Sequence, residues 1–346
     1  LLSPKVVFYG HFPDLLLCTA RGSSLKQFYR SFLDTLEAKT TAQADVVFVN
    51  SEFTKTTFFE TFPALEGNAT LEVLYPPVDL TEATKARNNG LIERSDFTEI
   101  RPLGKDPFFM SLNRYERKKN IGLALEAFAK FRNSGGNPKM KLVIAGGYDN
   151  LVEENVQHYE ELVAIAKREK ISDHVLFLRS ISNDLRLFLM REAAAVVYTP
   201  TGEHFGMIPV EAMALGTPVI AVNSGGPKES VKSGSTGKLC ESTPDDFAEA
   251  MKEFAKAKTS TLKQACIENA NRFGLESFGA QLDAAVQRPN TGSGAFSLYF
   301  TILMLIGVVV GSVSVAAQTF LVPENAGQFD YDTFMRAKDN ILRSLF

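Results

Sequence analysis

Short apolar runs alternate with longer amphipathic segments through most of the chain. Residues 108–112, 141–147, 174–178, 196–200 and 218–222 are apolar and rich in β-branched or aromatic side chains, the pattern of strands buried on both faces. After the first of them, Ile121, Ala124, Leu125 and Phe128 recur at helical spacing, and Gly135 and Gly136 close the segment. Strand and helix in steady alternation predict a parallel sheet covered on both faces. Ligands then bind beyond the carboxyl ends of the strands. Gly146 and Gly147 end one strand in small residues, where backbone can approach a ligand.

The first third repeats this alternation on a smaller scale. Strands are expected at 5–9, 45–49 and 71–74, and helices at 25–39 and 52–61. Residues 82–106 are polar without a periodic pattern and read as a linker. The division is therefore a partial N-terminal unit with its linker over 1–100 and a second α/β domain over 101–288. The pattern changes near the other end. Between Arg288 and Glu324 there is no charged side chain, and 295–322 is longer than the roughly 20 apolar residues that cross a bilayer. A transmembrane or membrane-embedded segment is expected at 295–322, followed by a tail over 323–346. Its position excludes a signal peptide, and the tail excludes a removable lipid-anchor signal. Flanking positive charge is too sparse to orient it.

Composition narrows the function classes. The 346 residues suffice for two domains, and a formal net charge of −3 gives no footprint for nucleic acid. Cys18, Cys240 and Cys266 are widely spaced and odd in number, which points to a reducing compartment and not to a disulfide framework. His11, His158, His174 and His204 are scattered, and no metal-ligand spacing stands out.

Candidate chemistry concentrates after two of the strands. Glu203 and Glu211 lie eight positions apart, with Gly206 and Pro209 between them and Gly216 beyond. This reads as a loop entering a short helix, with Pro209 in its first turn and Gly216 as its stop. A helix start near Gly206 and Met207 offers N–H groups and a positive dipole end to phosphate. Two glutamates beside such a site suit sugar hydroxyls. A glycosidase pair would need carboxyls about 5 to 10 Å apart across one bond, whereas eight helical residues rise about 12 Å. After 108–112 come Arg114 and Lys119, five positions apart, with Lys118 as the alternative register and Asn120 as a candidate N-cap. Two fixed cations can neutralise a leaving diphosphate, so no metal is required.

These residues resemble a known family. The spacing of Glu203 and Glu211 is similar to the E-x7-E motif of the retaining family 4 glycosyltransferases, which also carry an Arg and a Lys five positions apart facing the nucleotide diphosphate. The stretch from Phe8 through His11, Phe12, Pro13 and Asp14 to Leu17 resembles a signature of the endoplasmic-reticulum α-1,3/1,6-mannosyltransferases of the dolichol pathway, with Gly10 where that family has cysteine. Residues 49–54 and 216–226 are similarly close, and the resemblance covers roughly 5–255.

The resemblance implies the GT-B fold: two Rossmann-like domains facing a cleft, the N-terminal one lacking its first part and leaving the acceptor site incomplete. It implies mannose transfer from GDP-mannose to a dolichyl-diphosphate oligosaccharide, without a cofactor, at the cytosolic face of the endoplasmic-reticulum membrane. Lys119, Glu203 and His11 take catalytic roles in this reading, with His11 on the acceptor side. Arg114, Lys119, Gly206, Met207, Glu211, Gly146 and Ser180 bind the donor. Glu211 takes the ribose hydroxyls and Glu203 those of mannose, with the base near 179–183. Partners extend to the bilayer and to other glycosyltransferases of the pathway. Asn68 begins a glycosylation sequon that a cytosolic domain leaves unmodified. Another lipid-linked glycosyltransferase of this fold, such as the α-1,2-mannosyl enzyme, and a membrane-anchored non-catalytic scaffold remain alternatives. A metal site at Asp330 and Asp332 is disfavoured, because the pair sits in the tail.

Overall fold

A computed structural model describes residues 6–17, 24–42, 44–66, 70–88, 93–256 and 259–288. Cys18, Asn68, the apolar segment 295–322 and the tail 323–346 lie outside them. Among the described residues, no helix is long and apolar enough to cross a membrane. The chain divides into two compact units, the first drawn from Leu1–Phe48, Thr56–Glu72 and Val286–Phe346, the second from Val49–Lys55 and Val73–Ala285. The second unit takes up Val49–Lys55 and then an unbroken run from Val73.

The N-terminal elements are β1 (Val7–Gly10), α1 (Asp14–Leu17), α2 (Ser24–Thr41), β2 (Val46–Val49), α3 (Glu52–Thr61) and β3 (Leu71–Val73), with the strands in the order β1-β2-β3. All four side chains of β2 are buried, as an apolar central strand requires. Gly10 is matched to its neighbour: a Cβ built there would lie 2.8 Å from Cζ of Phe58 on α3.

The second unit continues with α4 (Leu80–Asn88), β4 (Phe108–Leu112), α5 (Ile121–Asn133), β5 (Lys141–Gly146), α6 (Glu153–Arg168), β6 (Val175–Arg179), α7 (Asn183–Glu192), β7 (Val196–Tyr198) and α8 (Met207–Ala214). It ends with β8 (Val219–Val222), α9 (Pro227–Ser230), β9 (Gly237–Cys240), α10 (Pro244–Lys256), α11 (Thr259–Asn271) and α12 (Leu275–Gln287). Its six strands are parallel and run in the order β6-β5-β4-β7-β8-β9. Period-two alternation splits β4 between two cores: Phe108, Met110 and Leu112 join one apolar cluster with α7, α8 and α11, while Phe109 joins the other with α5 and α10. Burial on both faces accounts for the unbroken apolar runs in the sequence. The strand order reverses between β4 and β7, so their connecting loops diverge and leave a crevice at their carboxyl ends.

Three local expectations need correction. Residues 80–88 form α4, not part of a linker. Its buried face consists of Ala83 and Ala86, too small to register as an apolar stripe, and the Arg87 guanidinium donates to the Ala214 carbonyl at the end of α8. Asn120 begins α5 but its side chain makes no capping bond, because it sits in the left-handed region with φ 49°. It closes the tight turn Arg117–Lys119 instead, its N–H bonding the Arg117 carbonyl at 3.0 Å. His174 ends a 3-10 turn, and β6 starts one residue later.

Candidate active site

The floor of the crevice is built by close backbone packing. Gly146, at the end of β5, has φ 153°, and a Cβ there would lie 1.9 Å from the Asn113 carbonyl oxygen; only glycine permits that approach. Tyr115 is fully buried, and its hydroxyl lies 3.0 Å from the Leu178 carbonyl and 3.2 Å from that of Ile144. The 113–120 loop is thereby pinned to the ends of three strands. Burial pushes the Tyr115 phenol well above its ordinary pKa, so it stays a neutral donor.

This pinned loop gives the two lysines different surroundings. Lys118 is 67% exposed and pairs with Glu116 at 3.1 Å, as does the exposed Arg114 at 2.8 Å. Lys119 is only 13% exposed and its Nζ pairs with Glu203. Thr199 Oγ1, at the end of β7, donates to the Lys119 carbonyl at 2.9 Å. The loops after β4 and β7 are thus joined at the point where strand order reverses.

Glu203 sits on a backbone held by two glycines of the loop after β8. The Gly226 N–H bonds the Glu203 carbonyl at 2.8 Å. A Cβ on Gly226 would fall 2.2 Å from Phe205 Cα, and one on Gly225, with φ 63°, would fall 2.4 Å from the Glu203 carbonyl oxygen. The Tyr198 hydroxyl bonds the Glu203 carboxylate; its pKa is driven up by burial first and by that negative charge second. Three residues beyond Glu203, Gly206 takes φ 80° to turn the chain into α8. The first-turn N–H groups of α8, beginning at the 43%-exposed Met207, have no intrahelical partners and present a positive dipole end.

Glu211 lies one turn further along α8 and pairs with Arg186 of α7. Burial raises its carboxyl above the usual range, Arg186 opposes that shift, and Glu82 adds to it. A pocket of about 290 Å³ beside it is lined by Asp79, Glu82, Arg186 and Met207 among others.

Ser180 follows β6 in the left-handed region at φ 48°. Its Oγ donates to the Tyr148 carbonyl at 2.8 Å and accepts from the Tyr148 N–H at 3.1 Å, while its own N–H bonds the Gly146 carbonyl at 2.8 Å. Its hydroxyl therefore braces the 146–148 loop.

The second unit gathers Arg114, Lys119, Gly146, Ser180, Glu203, Gly206, Met207 and Glu211 on loops and a helix at one edge of its sheet. His11 belongs to the first unit, after β1, with its ring edge-on to Tyr9 at 5.1 Å. The sequence does not mark Tyr198 or Arg186, whose glutamate partners lie 5 and 25 positions away. Arg179, at the start of the segment expected near the base, places its guanidinium over the rings of Tyr148 and Tyr159 at 4.8 and 5.0 Å.

Known proteins resemble this chain in sequence and in fold. Residues 93–273 match the family model for glycosyl transferases group 1. The chain is 43% identical to the α-1,3/1,6-mannosyltransferase ALG2 of Mus musculus over 80% of its own length and 66% of that protein's. It is 42% identical to the Homo sapiens enzyme of that name over the same shares, so it spans about two thirds of the length of these relatives. The Dictyostelium discoideum protein is 40% identical over 82% of this chain and 70% of its own. Among solved structures, Anabaena HepE in complex with UDP and glucose superposes with a TM-score of 0.63 at 21% identity, over 82% of this chain and 72% of that one. That likeness establishes the α/β glycosyltransferase fold of the GT-B class. The chain belongs to the group 1 glycosyl transferases and, within them, to the family of the α-1,3/1,6-mannosyltransferases.

Proposed function

We propose that this protein is a retaining mannosyltransferase that moves mannose from GDP-mannose to a dolichyl-diphosphate oligosaccharide, forming the α-1,3 and α-1,6 linkages of the N-glycan precursor. The carrying observation is the half-buried pairing of Lys119 with Glu203 beside the N-terminus of α8, where strand order reverses. The printed activity of the relatives supports the sugar and the linkages.

In this reading Lys119 and Arg114, with the N–H groups around Gly206 and Met207, hold the diphosphate. Charge grows on it as the bond from the anomeric carbon to the phosphate oxygen breaks, and fixed donors aimed there stabilise the transition state. An acceptor hydroxyl forms the new bond on the same face, and its proton passes to the departing phosphate oxygen. Glu203 accepts from mannose hydroxyls and Glu211 from ribose. Gly146 and Ser180 border the base, and His11 belongs to the acceptor side. GDP-mannose is cytosolic, so the catalytic domains face the cytosol at the endoplasmic reticulum. The segment 295–322 keeps them beside the bilayer and Asn68 stays unglycosylated.

The test is incubation of the full chain with GDP-mannose and a dolichyl-type diphosphate oligosaccharide, followed by linkage analysis. Product with α-1,3 and α-1,6 mannose is expected. Transfer from UDP-glucose but not from GDP-mannose would overturn the donor assignment. A glycan on Asn68 that is lost in Asn68→Gln would overturn the orientation.

A further inference from the structure

The Glu211 carboxylate is held between charges that act in opposite senses. Arg186 donates from Nη1 to Glu211 Oε2. The guanidinium is itself fixed, since Nε and Nη2 both donate to Asn183 Oδ1 at 3.1 and 2.8 Å. Asn183 Nδ2 in turn donates to Glu82 Oε2 at 3.0 Å. The chain Glu82–Asn183–Arg186–Glu211 thus ties α4, α7 and α8 together in one polar line. Two other acids share the surroundings of Glu211: Glu82 and, on the wall of the same pocket, Asp79.

This matters because a half-buried carboxylate among acids tends to take up a proton. Protonated, it becomes an O–H donor with reduced acceptor capacity, and cannot receive two hydroxyl hydrogens as an ionised carboxylate does. One Arg186 N–H occupies one of roughly four acceptor positions on the ionised group, leaving the rest for a ligand.

We propose that Arg186 is a positioning residue of the donor site, orienting the Glu211 carboxylate and keeping it charged so that it can accept from the hydroxyls of a nucleoside diphosphate. The proposal rests on the assignment of Glu211 to donor hydroxyls given above. Asn183 serves Arg186 by aligning the fork, and Glu82 sets a limit on the effect.

Glu211 binds donor hydroxyls when ionised, so affinity is present above its pKa and lost as pH falls through it. Arg186 lowers that pKa and Glu82 raises it. In Arg186→Gln the loss of affinity on acidification should therefore begin at higher pH, and in Glu82→Gln at lower pH.

The experiment is titration of GDP and UDP into the full chain from about pH 5 to about pH 8.5, a range that brackets the carboxylate shifts expected on burial. Arg186→Gln should weaken GDP by about tenfold near neutral pH and move the acid limb upward; the tenfold loss is that of one charge-assisted contact. Arg186→Lys should restore most of both, and Asn183→Ala should give a smaller shift in the same direction. In a Glu211→Gln background, Arg186→Gln should add nothing.

An unchanged acid limb in Arg186→Gln, with thermal unfolding like the parent, would overturn the proposal. So would a tenfold loss that persists in the Glu211→Gln background, which would mean that Arg186 contacts the ligand itself. If the unmutated chain binds neither nucleotide at any pH, the donor-site assignment fails and the proposal falls with it. Binding that Arg186→Gln leaves untouched removes the proposal alone.

Discussion

The loop before α8 and the body of α8 each carry a glutamate with a basic partner, yet they hold it by different means. Glu203 lies on irregular backbone, so its position depends on the packing around it: Gly225 and Gly226 against the chain, Tyr198 on its carboxylate, and Lys119 across the crevice. Glu211 lies on a helix whose own hydrogen bonds fix the backbone, and its surroundings control its charge through Arg186 and Glu82. A loop carboxylate needs its place specified, whereas a helical one among other acids needs its ionisation specified. The first kind of support comes largely from close backbone packing at glycines, the second from charged side chains on other elements.

The largest effect is expected at Lys119. Lys119→Ala should lower transfer by about 10²- to 10³-fold, the range for losing one preorganised donor to a developing charge, with unfolding little changed. Lys119 is a loop side chain and not part of either apolar core. Near-normal turnover in a saturating-donor assay would remove Lys119 from the mechanism.

A backbone test comes next. Gly226→Ala must push the 203–205 loop away, because its Cβ would fall 2.2 Å from Phe205 Cα. A destabilisation of about 1 to 3 kcal/mol is expected, together with loss of transfer, read by denaturant unfolding and by assay. A substitution of equal size at Gly135, with open space around it but φ 84°, should cost stability without disturbing the site.

The two glutamates should then part company in GDP binding. Glu211→Ala should weaken GDP by about tenfold, as for a hydrogen bond to a charged group. Glu203→Ala should leave GDP affinity unchanged or tighter while lowering turnover, since it frees Lys119 from its partner. Equal weakening by both, measured by calorimetry, would contradict the division of roles.

The smallest effects separate support from decoration. Tyr198→Phe keeps the buried ring but removes the bond to Glu203, and turnover should fall severalfold, about 1 kcal/mol in the barrier. Lys118→Ala should change turnover less than twofold, because its exposed pair with Glu116 is worth about 0 to 1 kcal/mol. A larger effect there than at Lys119 would show that the neighbouring lysine is the functional cation.

Much of the second unit was legible because burial on both faces leaves a strong signal. β4, β5, β7 and β8 stand out as apolar runs, and α5 and α8 as segments bounded by glycine or proline. The candidate loops were legible because the fold places ligands after strands. By contrast α4 looks like linker in the sequence, since two alanines against α8 are enough to bury it but too small to mark it. Asn120 looks like a cap because side-chain type does not reveal a left-handed φ.

Local periodicity and short spacings carry the alternation of strands and helices, the family resemblance, and the candidate residues for a nucleotide sugar. That Lys119 and not Lys118 turns to Glu203, that Gly225 and Gly226 serve loop-to-loop contact, and that Arg186 reaches Glu211 emerge in the folded chain. Each depends on chain segments that are distant in sequence and brought together by the parallel sheet. Their relation is set by strand order and close packing, which no local pattern encodes.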